Sequence, residues 1–101
     1  MAKQPEGKLV RKISAHLKDR GARPFKIHGG DSPFQEVGIP DLLVCFQGYF
    51  IGLEVKLPGE KASPVQRVVL SQIEGAGGIG EVVTSVSETE EILKRIERNG
   101  G

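Results

Sequence analysis

The sequence predicts an α/β domain with a mixed β-sheet flanked by helices, and three observations carry that expectation. Two apolar and aromatic-rich runs, Asp41–Phe46 and Tyr49–Lys56, are separated only by Gln47-Gly48, which is a β-hairpin signal. Segments of helical apolar spacing lie before and after that hairpin. A further strand-like run, Glu81–Val86, follows the second of them.

Taken in order, Leu9, Val10, Ile13 and Leu17 recur at helical spacing and Gly21 supplies a stop, giving a first helix over roughly Glu6 to Arg20. Phe25–His28 reads as a short strand. Gly29 to Gly38, rich in Gly, Ser, Pro and acidic residues, reads as a mobile loop. In the hairpin Gly48 can take φ > 0, whereas Gln47 is not an ideal turn residue, so a bulge is an alternative. Leu42, Val44 and Phe46 face one way, Leu43 and Cys45 the other. With both faces apolar, the strands are expected to lie centrally in a sheet covered on both sides, with Cys45 in the core.

Leu57 to Ala62 is a polar loop. Ser63-Pro64-Val65-Gln66 opens a second helix, with Ser at the cap, Pro at the first helical position and Gln at the third. Val65, Val69 and Ile73, with Val68, form its expected buried stripe, and Gly75-Ala76-Gly77-Gly78 ends it. Ser87 is the expected cap of a last helix. Glu88, Glu90 and Glu91 fall in its first turn and Lys94, Arg95 and Arg98 near its end, which suits the helix dipole. The order is α-β-β-β-α-β-α. A glycine-rich phosphate loop is not the reading of Gly75–Gly80, because no Lys-Ser/Thr follows and a strand rather than a helix comes next.

A chain of 101 residues has the size of one domain. Hydrophobic content of 38% and charged content of 27% argue against disorder. No apolar run approaches a membrane span and Met1–Val10 lacks the apolar segment of a secretory signal, so a cytoplasmic protein is expected. A lone Cys45 and two histidines exclude an internal disulfide and a structural zinc cluster. The net charge of +1 hides an asymmetry. Met1–His28 holds eight basic and two acidic residues, the remainder six basic and eleven acidic. That basic first quarter suits a polyanion at one face, or simply solubilises a helix surface.

Chemistry concentrates at the hairpin. If Gln47-Gly48 is a two-residue turn, Phe46 opposes Tyr49 and Asp41 opposes Glu54, with Cβ atoms about 5 Å apart on one face. Alternation puts Lys56 on the face of Glu54. Opposed carboxylates repel unless a cation lies between them, and hard oxygen ligands suit Mg²⁺ or Mn²⁺, with the Val55 carbonyl able to complete the set. Such a site suits phosphodiester hydrolysis. A metal lowers the pKa of a bound water and neutralises phosphate charge, while Lys56 orients or activates the water. The competing reading makes Glu54 and Lys56 an ordinary surface pair and Asp41 a turn residue after Pro40. Charges embedded in an apolar strand need a specific partner, which favours the site.

These residues also match a known pattern. Gly38-Ile39-Pro40-Asp41-Leu42-Leu43, then Gly48-Tyr49-Phe50-Ile51-Gly52-Leu53-Glu54-Val55-Lys56, then Ser63-Pro64-Val65-Gln66, resembles the VRR-NUC family of the PD-(D/E)XK nuclease superfamily, whose small single-domain members occur in phages and bacteria. Pro40-Asp41 stands for the PD and Glu54-Val55-Lys56 for the (D/E)XK, and the resemblance covers nearly the whole chain. It implies a restriction-endonuclease-like αβββαβ core, divalent metal and DNA cleavage in a bacterial or phage-infected cell, with no small-molecule cofactor. Asp41 and Glu54 would be metal ligands and Lys56 the catalytic lysine. The family's helix-one glutamate matches Glu6, which is otherwise a favourable first-turn acid. Its helix glutamine matches Gln66, which is equally the last residue of a capping box.

The remaining assignments are weaker in kind. Lys8, Lys12, Lys26, His28 and Arg67 are candidates for contacts to the nucleic-acid backbone, and His16 is a surface or helix-packing residue. Cutting two strands needs two active sites, so a symmetric homodimer is expected. A branched or junction substrate follows by analogy with small resolvases of the superfamily. The rivals are a nucleic-acid-binding module without catalysis and a protein-interaction domain.

Overall fold

The structure, a computed structural model, describes residues 5–27 and 36–100. Seven elements follow the expected order: α1 (Pro5–Asp19), β1 (Arg23–Lys26), β2 (Leu42–Phe46), β3 (Tyr49–Val55), α2 (Pro64–Gly75), β4 (Ile79–Val83) and α3 (Val86–Gly100). They build a four-stranded sheet in the order β1-β2-β3-β4. The first two pairings are antiparallel and the last is parallel, reached through the α2 crossover, so the sheet is mixed. No described helix is long and apolar enough to cross a membrane.

The hairpin turn is the tight two-residue form, without a bulge. Gln47 at φ 50 and Gly48 at φ 83 both take positive φ, as a turn matching the twist of its strands requires. Phe46 accordingly pairs with Tyr49 and Leu42 with Leu53. Alternation from that register puts Leu42, Val44, Phe46, Ile51, Leu53 and Val55 on one face. There they form the core with Val10, Ile13 and Leu17 of α1 and Ile92, Leu93 and Ile96 of α3. Polar side chains lock the two helices together at the rim. His16 Nε2 lies 2.7 Å from Glu90 Oε1, and Arg20 reaches Glu90 at 3.1 Å and Glu97 at 2.8 Å. His16 is thus a helix-packing residue.

The opposite face is covered over half its width only. Here α2 lies on β3 and β4, and two glycines admit it. A Cβ on Gly80 would sit 2.4 Å from the Leu70 carbonyl oxygen, and one on Gly52 would sit 2.7 Å from Ile73 Cδ1. Over β1 and β2 no described helix lies, so Cys45 is exposed, contrary to the expectation of a core position. The stripe expected on α2 is corrected for the same reason. Leu70 is its buried residue, Val69 and Ile73 are half-buried, and Val65 and Val68 face solvent.

Boundaries shift in three places. The first strand is Arg23–Lys26 rather than Phe25–His28, and His28 with most of the expected loop lies outside the described residues. The last strand is Ile79–Val83 rather than Glu81–Val86. Finally, α3 is capped by Ser85, not Ser87. The Ser85 hydroxyl accepts the Glu88 N–H at 3.0 Å, while the Glu88 carboxylate turns back to accept the Thr84 N–H at 2.6 Å.

Candidate active site

The open ends of β2 and β3 meet beside the start of α2, and the backbone there fixes Asp41. Pro40 is buried in the space left by Gly52. Asp41 follows, and its carbonyl accepts the Ile27 N–H at 2.9 Å, extending the β1–β2 pairing by one step. One further step of the β2–β3 register sets Asp41 opposite Glu54, as the hairpin count predicts. The Asp41 carboxylate is held in place by the chain it faces, since the Val55 N–H donates to Asp41 Oδ2 at 2.8 Å.

Glu54 is the anomaly of the molecule. It exposes 2% of its surface, in a strand whose neighbours are otherwise apolar. Its Oε2 lies 3.5 Å from Lys56 Nζ, a contact that leaves Oε1 with no hydrogen-bond partner. Burial raises the Glu54 pKa most, the Asp41 carboxylate raises it further, and Lys56 only partly opposes them, so the group titrates at about 7 instead of 4.5. An unpaired, buried carboxylate oxygen costs on the order of 1–3 kcal/mol or more. Packing alone does not select for that, and the surface-pair reading of Glu54 and Lys56 fails because neither side chain is at the surface: they expose 3% and 17%.

Two more acids complete the electrostatics. Glu6, in the first turn of α1, is brought to this end of the sheet, where the charges of Lys56, Asp41 and Glu60 act on it. Burial is the largest cause of its raised pKa, with Asp41 and Glu60 adding to it and Lys56 opposing. Glu60 is not marked by the sequence pattern. It lies in the loop after β3, accepts the Leu57 N–H at 2.9 Å and stands within hydrogen-bonding reach of Glu6. Nothing in its spacing singles it out, because a loop acid has no periodicity to break.

The other expected residues are placed as follows. Gln66 makes the capping box: its Oε1 accepts the Ser63 N–H at 2.8 Å, and its own N–H donates to Ser63 Oγ at 3.2 Å. Arg67 Nη1 donates to the Ala62 carbonyl at 2.6 Å. Lys8 and Lys12, four residues apart on α1, and Lys26 at the end of β1 are exposed. Val55 is buried, with its N–H already taken by Asp41.

Among the described residues no three His, Cys, Asp or Glu side chains converge as a ready-made metal cage. Asp41 and Glu54 therefore offer two adjacent carboxylates that could hold an ion, not a closed shell. That is the form in which proteins usually hold Mg²⁺, through one or two carboxylates with water and substrate phosphate supplying the rest. The unsatisfied Glu54 Oε1 fits such an ion.

The half-covered mixed sheet, with its helices in this order, is a fold shared with a protein of known structure. The chain superposes on a solved structure titled VRR_NUC domain with a TM-score of 0.72 at 24% identity, over 91% of this chain and 97% of that one. The fold is thus that of a VRR_NUC domain, and the resemblance seen in the motifs holds at that level. Neither a protein-family model nor a curated protein sequence matches the chain.

Proposed function

We propose that this protein is a divalent-metal-dependent endodeoxyribonuclease, with Asp41 and Glu54 as ligands for Mg²⁺ or Mn²⁺ and Lys56 as the residue that serves the attacking water. The observation that carries the reading is the buried Glu54, with one unpartnered oxygen, beside Asp41 and Lys56 on a VRR_NUC fold. When bound, the cation supplies Lewis acidity toward a phosphodiester. The chain does the rest. The Val55 N–H holds the Asp41 carboxylate in one orientation. Lys56 is kept at the site by Glu54 and offers a cation where negative charge grows on phosphate oxygens. Glu6, whose pKa is raised chiefly by burial and on which the charge of Lys56 acts, is suited to assist at the site, with Glu60 behind it. Gln66 and the Val55 carbonyl complete the proposed set, and Lys8, Lys12, Lys26, His28 and Arg67 would contact the backbone of DNA.

Two active sites are needed to cut two strands, so a homodimer acting on junctions or branched DNA in the cytoplasm is the assembly in keeping with this chemistry. The test is cleavage of a panel of junction, flap, duplex and single-stranded DNA with Mg²⁺, Mn²⁺ or EDTA, using wild type, Asp41→Ala and Lys56→Ala. Metal-dependent cutting lost in both variants supports the proposal. Intact DNA binding with no cutting under either metal would leave a binding module instead.

A further inference from the structure

Lys56 is the first residue beyond β3, and three consecutive main-chain N–H groups fix it there. The Val55 N–H donates to Asp41 Oδ2 at 2.8 Å, the Lys56 N–H to the Val83 carbonyl at 3.0 Å, and the Leu57 N–H to Glu60 Oε1 at 2.9 Å. The last of these belongs to a closed unit. Leu57 to Glu60 is a β-turn with Pro58 and Gly59 at its corner, Gly59 at φ 90, and the Glu60 N–H returns to the Leu57 carbonyl at 3.0 Å. Glu60 thus grips both polar main-chain groups of the residue that follows the lysine. At its far end Lys56 is held less firmly. Its Nζ lies 3.5 Å from Glu54 Oε2, beyond the roughly 2.7–2.9 Å of a charge-assisted hydrogen bond. Where the ammonium stands therefore depends on where its main chain is held. A turn needs only an acceptor at residue 60, and a neutral side chain would supply one. The carboxylate instead adds a negative charge that acts on Glu6, at an end of the sheet already holding Asp41 and Glu54. In return it makes a charge-assisted bond to the Leu57 N–H, about twice as strong as a neutral one.

We propose that Glu60 is a positioning residue for Lys56: by holding the Leu57 N–H it fixes the main chain of the lysine, so that the ammonium stands ready for the attacking water and the phosphate. Glu60 acts only through Leu57 and carries no part of the chemistry itself. The role rests on the nuclease reading, which gives Lys56 its task. Asp41 makes the corresponding hold on the near side of the lysine, through Val55, and Glu60 completes it on the far side. Such a hold matters most for a long, flexible side chain, because a reacting group displaced by about 1 Å can lose about a hundredfold in rate.

Two variants separate the bond from the charge. Glu60→Ala removes the acceptor for the Leu57 N–H, whereas Glu60→Gln keeps an Oε1 in its place and removes the charge. In DNA cleavage with Mg²⁺, well below each protein's melting temperature, Glu60→Ala should lower kcat at least about tenfold with KM within about twofold of wild type. Glu60→Gln should restore most of the lost kcat. A loss confined to KM, an unchanged kcat in Glu60→Ala, or equal losses in the alanine and glutamine variants overturns the role. A second readout needs no cleavage. Lysines reductively methylated with ¹³C report the surroundings of each amine by NMR, and the Lys56 signal is assigned by its loss in Lys56→Arg. In EDTA without DNA that signal should move in Glu60→Ala and return toward its wild-type position in Glu60→Gln, and a signal unmoved in Glu60→Ala overturns the role. Wild type that cuts no DNA with Mg²⁺ or Mn²⁺ removes the nuclease reading, and the methyl signal then decides alone whether Glu60 fixes Lys56. Wild type that cuts, with Glu60→Ala cutting equally well, keeps the nuclease and removes the role.

Discussion

Replacing Glu54 by Gln keeps the side chain's shape and removes its charge, which isolates the energetic consequence of burying that carboxylate. In the metal-free protein Glu54 titrates at about 7, against 4.5 in the unfolded chain. Between those values the folded state binds the extra proton, so the stability contributed by this group is fully present below pH 4.5 and is lost as pH rises toward 7. A tenfold change in proton affinity corresponds to about 1.36 kcal/mol, so the loss across the window is about 3 kcal/mol. Glu6, whose pKa is also raised, adds a slope of the same sign. The informative quantity is therefore the difference between wild type and Glu54→Gln. Urea unfolding in EDTA at closely spaced pH values from about 4.5 to 8 should show wild type losing stability relative to the variant by about that amount, with no further divergence above about pH 8. Parallel stability profiles for the two proteins would refute the reasoning, since a carboxylate that keeps its ordinary pKa is not confined as the geometry requires.

Three further outcomes follow. Gly80→Ala drives a Cβ to 2.4 Å from the Leu70 carbonyl oxygen and forces α2 off the sheet, so it should destabilise by about 2 kcal/mol or more in urea unfolding, because the clash is with backbone and cannot be relieved by a rotamer. Ser63→Ala removes the acceptor for the Gln66 N–H and should cost about 1 kcal/mol, measured by the same method. Mg²⁺ at about pH 8, where the raised Glu54 pKa leaves the carboxylate ionised, should raise the melting temperature of wild type but not of Asp41→Ala, followed by circular dichroism, and an equal rise in both would place the bound ion elsewhere.

The hairpin and everything its register dictates are legible in the sequence, because a two-residue turn leaves one pairing and alternation then assigns every face. The Ser63–Gln66 capping box is legible for a similar reason: the motif is local and its geometry closed. Cys45, Val65 and Val68 are misplaced by sequence reasoning because apolar alternation reports what could be buried, not whether a layer exists to bury it. One twelve-residue helix covers β3 and β4 and cannot also cover β1 and β2. The cap of α3 is misassigned to Ser87, although Ser85-x-x-Glu88 offers the same signature two residues earlier, and a choice between nearby serines is decided by where β4 ends. In the candidate site, Asp41, Glu54 and Lys56 are visible as a pattern on one hairpin. Glu6 is ambiguous on its own helix because its neighbours Asp41 and Lys56 are distant in sequence. Glu60 is invisible, since its meeting with Glu6 depends on the path of a loop.

The stability cost of Glu54 and the proposed metal site are two sides of one quantity. A folded protein that spends about 3 kcal/mol at neutral pH to keep an unpartnered carboxylate charged, or else carries it protonated, gives up a substantial share of a small domain's stability. A ligand that binds only the folded state adds RT ln(1 + [L]/Kd), about 2.7 kcal/mol at a hundred times its Kd. A divalent cation shared by Asp41 and Glu54 would thus offset nearly the whole penalty and do so in the pH range where the carboxylate must be ionised.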